Sequence, residues 1–205
     1  MIAIIDYGVG NLFSLLSSFK FIGQQAVITR DIAEIEKSDR ILLPGVGAFD
    51  DAAKKLRDSG MADVVKAQAA TGKPLLGICL GMQMLLEKSY EYGEHDGLGL
   101  IEGSVKPIAP VISPELKVPH IGWNALHFPA DKPKSEIFKY VDEGEHVYFV
   151  HSFAAFDCEK SVIATTEYDA QLTAAVGTAN IFGTQFHPEK SGDTGLRILK
   201  AFCEV

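Results

Sequence analysis

Gly77-Ile78-Cys79-Leu80-Gly81 sets a thiol between two glycines, directly after Pro74-Leu75-Leu76 and directly before Met82-Gln83-Met84-Leu85-Leu86. The apolar run ahead of it has the length of a buried strand, and the run behind it reads as the first turns of a helix. A nucleophile at such a strand-to-helix turn forms a nucleophile elbow. The glycines remove side chains that would collide in so sharp a turn, which leaves the thiol standing above a sheet. A helix N-terminus beneath the sulfur favours negative charge and hence the reactive thiolate. Cys79 is therefore a candidate nucleophile rather than a core residue.

Working outward, strand and helix patterns alternate. Ile2 to Ile5 predicts a buried strand, followed by the turn Tyr7-Gly8-Val9-Gly10-Asn11 and a helix from Leu12 to about Ile22. Gln25 to Thr29 and Ile41 to Leu43 predict two more strands, the latter ending at Pro44-Gly45-Val46-Gly47. Asp50 to Leu56 and Met61 to Ala70 read as helices, and Leu75 to Ile78 is the strand that carries Cys79. This alternation predicts an α/β fold with an open, largely parallel twisted sheet and helices on both faces. Sites in such sheets form beyond the carboxyl ends of the strands, where both glycine-rich turns and Cys79 fall.

From about residue 98 the pattern changes to short β-like runs joined by turns: Gly103 to Pro107, Trp123 to Phe128, His146 to Val150, Val162 to Thr166, Leu172 to Val176 and Ile181 to Thr184. They predict additional antiparallel or mixed strands that extend the sheet, with Thr194 to Phe202 as a closing helix. No linker, repeat or low-complexity tract interrupts the chain, so residues 1–205 are expected to form one domain.

A net charge of −8 argues against nucleic acid or an anionic membrane as the main partner. Cys79, Cys158 and Cys203 form no even disulfide framework and show no metal-ligand spacing, so no metal is expected. Met1 to Asp6 lacks the pattern of an export signal, and a cytoplasmic location is expected.

A thiolate that attacks a carboxamide needs a base, a group to orient that base, and donors for the oxyanion. Gly183-Thr184-Gln185-Phe186-His187-Pro188-Glu189 offers the first two. A carboxylate two residues beyond His187 can bond one imidazole nitrogen while the other faces the thiol. For the oxyanion, the Leu80 N–H and the Val46 or Gly47 N–H are the candidates. Gly8-Val9-Gly10 is no dinucleotide fingerprint, because Phe13 stands where the third glycine is needed. His120 and His151 are possible neighbours of the site; Cys158 and Cys203 are expected to be inert.

Taken together, Gly-Ile-Cys-Leu-Gly-Met-Gln, Pro-Gly-Val-Gly and Gln-Phe-His-Pro-Glu resemble the triad-type class I glutamine amidotransferases, whose fold is flavodoxin-like, from the first strand to the last helix. Within that family, the opening Asp6-Tyr7-Gly8-Val9-Gly10-Asn11-Leu12, Pro119-His120-Ile121-Gly122-Trp123-Asn124, Tyr148-Phe149-Val150-His151-Ser152 and Lys190-Ser191 resemble the glutaminase subunits of imidazole glycerol phosphate synthase. The resemblance implies that Cys79 attacks the glutamine carboxamide, that His187 is acid and base, and that Glu189 orients it. It further implies that Gln83, Gly47, Ser152 and Phe153 hold glutamine. Ammonia would pass, in a heterodimer, to a (β/α)8-barrel cyclase subunit contacted by Asn11, Trp123 and Lys190, with no cofactor. A cysteine peptidase or related thiol hydrolase would share the elbow. A binding subunit that had lost activity would share the fold but predict a broken triad.

Overall fold

The computed structural model describes residues 1–205. The first half follows the alternation expected from the sequence: β1 (Ile2–Ile5), α1 (Leu12–Phe21), β2 (Ala26–Thr29), α2 (Ile32–Lys37), β3 (Arg40–Leu43), α3 (Phe49–Asp58), α4 (Met61–Ala70), β4 (Leu75–Ile78) and α5 (Leu80–Leu85). Helix α2 was not expected from hydropathy, because a six-residue helix shows too little periodicity. Its start is nevertheless written in the chain: the Asp31 carboxylate accepts the Ala33 and Glu34 N–H groups as an N-cap.

The second half contributes β5 (Lys88–Ser89), β6 (His95–Asp96), β7 (Ser104–Pro107), β8 (His120–Ala125), β9 (His146–His151), β10 (Phe153–Phe156), β11 (Val162–Tyr168), β12 (Ala170–Thr178), β13 (Ile181–Thr184) and α6 (Gly192–Phe202). The main sheet has seven strands in the order β11-β12-β13-β4-β3-β1-β2. Pairing is parallel from β13 to β2 and antiparallel where β12 and β11 are added. Only part of the later half extends this sheet, which corrects the sequence expectation. Strands β10, β7, β5 and β6 form a separate four-stranded sheet, and β8 with β9 a two-stranded one. The strand expected over Trp123 to Phe128 lies instead at His120–Ala125, since the inward-facing His120 and Asn124 mask its alternation.

Period-two alternation assigns the central strands to two cores. Ala3, Ile5, Ile41, Leu43 and Leu75 pack with α3, α4 and α5 on one face. Ile2, Ile4, Leu42, Leu76 and Ile78 pack with α1 and α6 on the other. Strands buried on both faces leave only their carboxyl ends for chemistry, and β1, β3, β4 and β13 all end on the same edge. No helix is long and apolar enough to cross a membrane.

Candidate active site

Cys79 occupies the single residue between β4 and α5, at φ 54° and ψ −111°. A non-glycine residue there is strained by roughly 1–3 kcal/mol, a cost the surrounding fold must offset. Three contacts hold the turn. The Cys79 N–H donates to the Thr184 carbonyl at 2.7 Å, and the Gln83 N–H donates to the Cys79 carbonyl at 3.1 Å. Gly81 is pressed so closely to β3 that a Cβ there would sit 2.0 Å from the Leu43 carbonyl oxygen. The flanking glycines are thus required by close approach, not by unusual dihedrals. Helix α5 is only six residues long, so its dipole offers the thiolate limited help.

Beyond β13 the chain bends at Gln185 and Phe186 and brings His187 to the carboxyl edge of the sheet, next to the elbow. His187 Nδ1 lies 2.9 Å from Glu189 Oε1, both side chains being almost wholly buried, and the Cys79 thiol is close enough to the His187 ring to help hold it protonated. Burial alone would pull the His187 pKa down. The hydrogen bonds and negative charge of Cys79 and Glu189 overcome it and raise the pKa to about 9. Stability from this ionisation is complete below the ordinary value of 6.5 and is lost as pH rises through about 9. The gap in thermal midpoint between the parent and His187→Asn is therefore expected to narrow between those pH values. A gap that stays constant across that window would count against a charged His187 in this pair.

These groups open into a cavity of about 330 Å³, lined by Val46, Gly47, Cys79, Leu80, Gln83, Ser152, Phe153, His187 and Lys190 among others. Every residue proposed from the sequence as oxyanion donor or substrate contact is brought together here, beside the thiol. Neither the Val46 nor the Gly47 N–H has a hydrogen-bond partner within the protein, as an oxyanion donor requires. Gln83 is more constrained than expected: its Nε2 donates to the Phe153 carbonyl and to Gln185 Oε1, both at 3.0 Å. Its Oε1 is then the only group left for a ligand, and it can only accept.

Three further residues at the site were not assigned a role from the sequence. Glu91 lines the cavity, and its carboxylate accepts the Phe49 N–H at 2.6 Å, fixing the start of α3. It lies in the turn-rich segment after β5, where no local pattern marks it. His151 lines the cavity too; its Nδ1 donates to the Phe153 carbonyl at 2.9 Å, and its Nε2 is 3.0 Å from His120 Nδ1. Burial and the neighbouring His120 and His187 pull its pKa to about 3, so it is a neutral strut. The third, Gln185, sits two residues before His187 in the same motif, and its side chain reaches both Gln83 and Cys79.

The three residues assigned to a partner surface are less closely grouped. Lys190 is exposed on the rim of the cavity. Trp123 is 54% exposed on β8 and packs edge-on against Tyr148, whose carbonyl accepts the His187 N–H. Asn11 precedes α1 without a side-chain capping bond and lies outside the cavity lining. Two larger concavities, of about 760 and about 650 Å³, lie elsewhere and hold no nucleophile paired with a base. Cys158 lines the first; burial pushes its thiol up to about 11, as it does that of Cys203, in keeping with the inert role expected of both. No group of side chains could hold a metal ion.

Similarity to known proteins agrees with the geometry. The family model for class-I glutamine amidotransferases matches residues 3–204. The "imidazole glycerol phosphate synthase subunit HisH" of Sulfurimonas denitrificans is 50% identical, over 100% of this chain and 98% of that one. The subunit of the same name from Lactococcus lactis is 46% identical, over 99% of this chain and 98% of that one. Among solved structures, a glutamine amidotransferase superposes with a TM-score of 0.76 at 20% identity, covering 100% of this chain and 98% of that one. The PurLQS structure from Thermotoga maritima gives 0.74 at 19%, covering 99% and 97%. At such identities the superpositions speak for the fold alone.

Proposed function

The chain belongs to the class-I glutamine amidotransferases, and on that premise we propose that it is the glutaminase subunit of imidazole glycerol phosphate synthase, acting in histidine biosynthesis. The observation that carries this reading is near-half identity, over the full length, to subunits of that synthase. In a single domain over residues 1–205, Cys79 attacks the side-chain carboxamide of glutamine, and the new oxyanion is met by the Leu80 N–H and the Val46 or Gly47 N–H. Removing one such donor typically costs about 10²–10³ in rate. His187, oriented by Glu189, hands a proton to the departing ammonia and leaves a glutamyl thioester on Cys79. It then takes a proton from water, whose attack releases glutamate. No cofactor takes part.

Glutamine would bind with its carboxamide at Cys79 and its polar end against Gln83, Gly47, Ser152 and Phe153. The Glu91 carboxylate offers a charge partner for the α-ammonium group. Ammonia then passes to a (β/α)8-barrel cyclase subunit, which forms imidazole glycerol phosphate and aminoimidazole carboxamide ribotide. Asn11, Trp123 and Lys190 belong to the surface that meets this partner. A tryptophan that is 54% exposed suits an interface anchor. A nucleophilic thiol works in its reduced form, which a reducing cytoplasm maintains.

Glutamine hydrolysis by the purified chain, measured alone and with the cyclase plus an acceptor analogue, tests the proposal. Ammonia release that rises sharply only with the cyclase is the expected result. Release indifferent to the cyclase would move the chain to another amidotransferase pathway. No release under either condition would overturn the enzymatic reading.

A further inference from the structure

Cys79 has a hydrogen-bond neighbour that the triad does not include. Gln185 is fully buried, and its Nε2 lies 3.7 Å from Cys79 Sγ, a normal separation for a bond to sulfur. Oxygen and nitrogen of a carboxamide are easily interchanged, so the direction of this contact depends on what anchors it. The anchor is the Phe153 carbonyl, which can only accept. It takes one Gln83 Nε2 hydrogen, so the other points at Gln185, and the Gln185 atom opposite must be the oxygen. The nitrogen of Gln185 is thereby turned toward the sulfur. His151 Nδ1 donates to the same Phe153 carbonyl and holds it in place. The backbone confirms the anchoring: the Gln185 N–H donates to the Ala174 carbonyl at 2.8 Å, fixing the residue to β12.

We propose that Gln185 is a catalytic hydrogen-bond donor to the Cys79 sulfur, its polarity set through Gln83 by the Phe153 carbonyl. The proposal rests on Cys79 being the nucleophile. A buried amide that donates to sulfur stabilises the thiolate over the thiol, because a hydrogen bond to an ionised acceptor is roughly twice as strong as one to a neutral acceptor. The need is real at this site, since α5 is too short to supply a strong dipole. The Gln185 amide then acts on the sulfur directly, beside the charge of the nearby His187 ring. When the thioester forms, the sulfur loses its charge and the amide bond weakens. Donation from Gln185 thus favours the attacking and departing thiolate over the acylated state, and eases release of glutamate.

Gln185→Met keeps the length of the side chain and removes the donor. Gln185→Glu keeps its shape, and puts an oxygen in place of the donor. Alkylation of Cys79 in the full chain by iodoacetamide, followed by site-resolved mass spectrometry with Cys79→Ala as blank, reads the thiolate directly. Both variants are expected to react about tenfold more slowly than the parent at neutral pH. At about pH 10, where an ordinary thiol is ionised in any case, the parent and Gln185→Met rates are expected to converge to within about twofold, while the Gln185→Glu carboxylate keeps opposing the thiolate and its variant stays slower. A folded Gln185→Met that keeps the parent's rate at neutral pH would overturn the proposal. So would a Gln185→Met loss that persists at pH 10, which marks a packing role. If Gln185→Met does not fold, the neutral Gln185→Leu carries the same comparison. Alkylation needs no glutamine, so a failure here is separate from a failure of the glutaminase reading, which ammonia release reports.

Discussion

Cys79→Ala is expected to abolish ammonia release from glutamine while leaving fold and partner binding intact. Without sulfur no glutamyl thioester can form, and water attacking directly would have to do so without a covalent intermediate. Removing a nucleophile from a comparable hydrolytic triad costs about six orders of magnitude in kcat, so the residual rate should be indistinguishable from background. The fold should tolerate the change, because the turn is held by the backbone bonds from Cys79 to Thr184 and from Gln83 to Cys79. Ammonia release by the purified variant, with circular dichroism and a partner-binding titration as controls, checks both halves. Hydrolysis that survived in the folded variant would remove Cys79 from the mechanism.

Gly81→Ala is expected to cost the fold a large part of its stability. Its Cβ would meet the Leu43 carbonyl oxygen at 2.0 Å and the Leu43 carbonyl carbon at 2.9 Å, both in the backbone of a central strand. Neither atom can move without disturbing the pairing of Leu43 with Gly77 between β3 and β4. Overpacking of this kind costs roughly 3 kcal/mol or more, which lowers the thermal midpoint by about 6–12 °C in a domain of this size. Gly23→Ala is the control: its Cβ would meet nothing within 4 Å, and only the φ of +76° opposes it. That variant should lose about 1–2 kcal/mol. Equal midpoints for the two variants, read by thermal unfolding, would show that close approach at the elbow is not what demands glycine. Activity of the surviving folded fraction of Gly81→Ala should also fall, since the displaced turn carries the thiol.

The elbow's sensitivity explains a division of labour in the sequence. Gly77 and Gly45 face the same constraint as Gly81: a Cβ on Gly77 would come within 2.7 Å of the Gly81 carbonyl, and one on Gly45 within 2.6 Å of the Gly81 N–H. Three glycines from two strand ends therefore meet at one point. That meeting brings the Pro44-Gly45-Val46-Gly47 loop over Leu80 and lines the cavity with its free N–H groups. Tyr7 adds a further tie, its hydroxyl donating to the Pro44 carbonyl at 2.6 Å. The loop is held at its start, by Pro44 and Gly45, while Gly47 takes φ +93° in open space.

What the sequence by itself determined was local and periodic. The central strands, the helices α1, α3, α4 and α6, and the elbow were legible because each is written in contiguous residues, as a short unbroken apolar run, a helical period or a nucleophile between glycines. Cys79, His187 and Glu189 were legible for a similar reason: a nucleophile between glycines and a carboxylate two residues beyond a histidine are short-range patterns. Tertiary structure alone decided what depends on residues far apart in the chain. The separate sheet of β10, β7, β5 and β6 pairs strands of two to four residues, too short to show alternation. Glu91 reaches the cavity only because its carboxylate bonds the start of α3, 42 residues earlier. Gln83 and Gln185 stand 102 residues apart, and neither amide has a direction until the Phe153 carbonyl supplies one. A hydrogen bond takes its polarity from the partner that cannot reverse, and that partner was assigned by the fold.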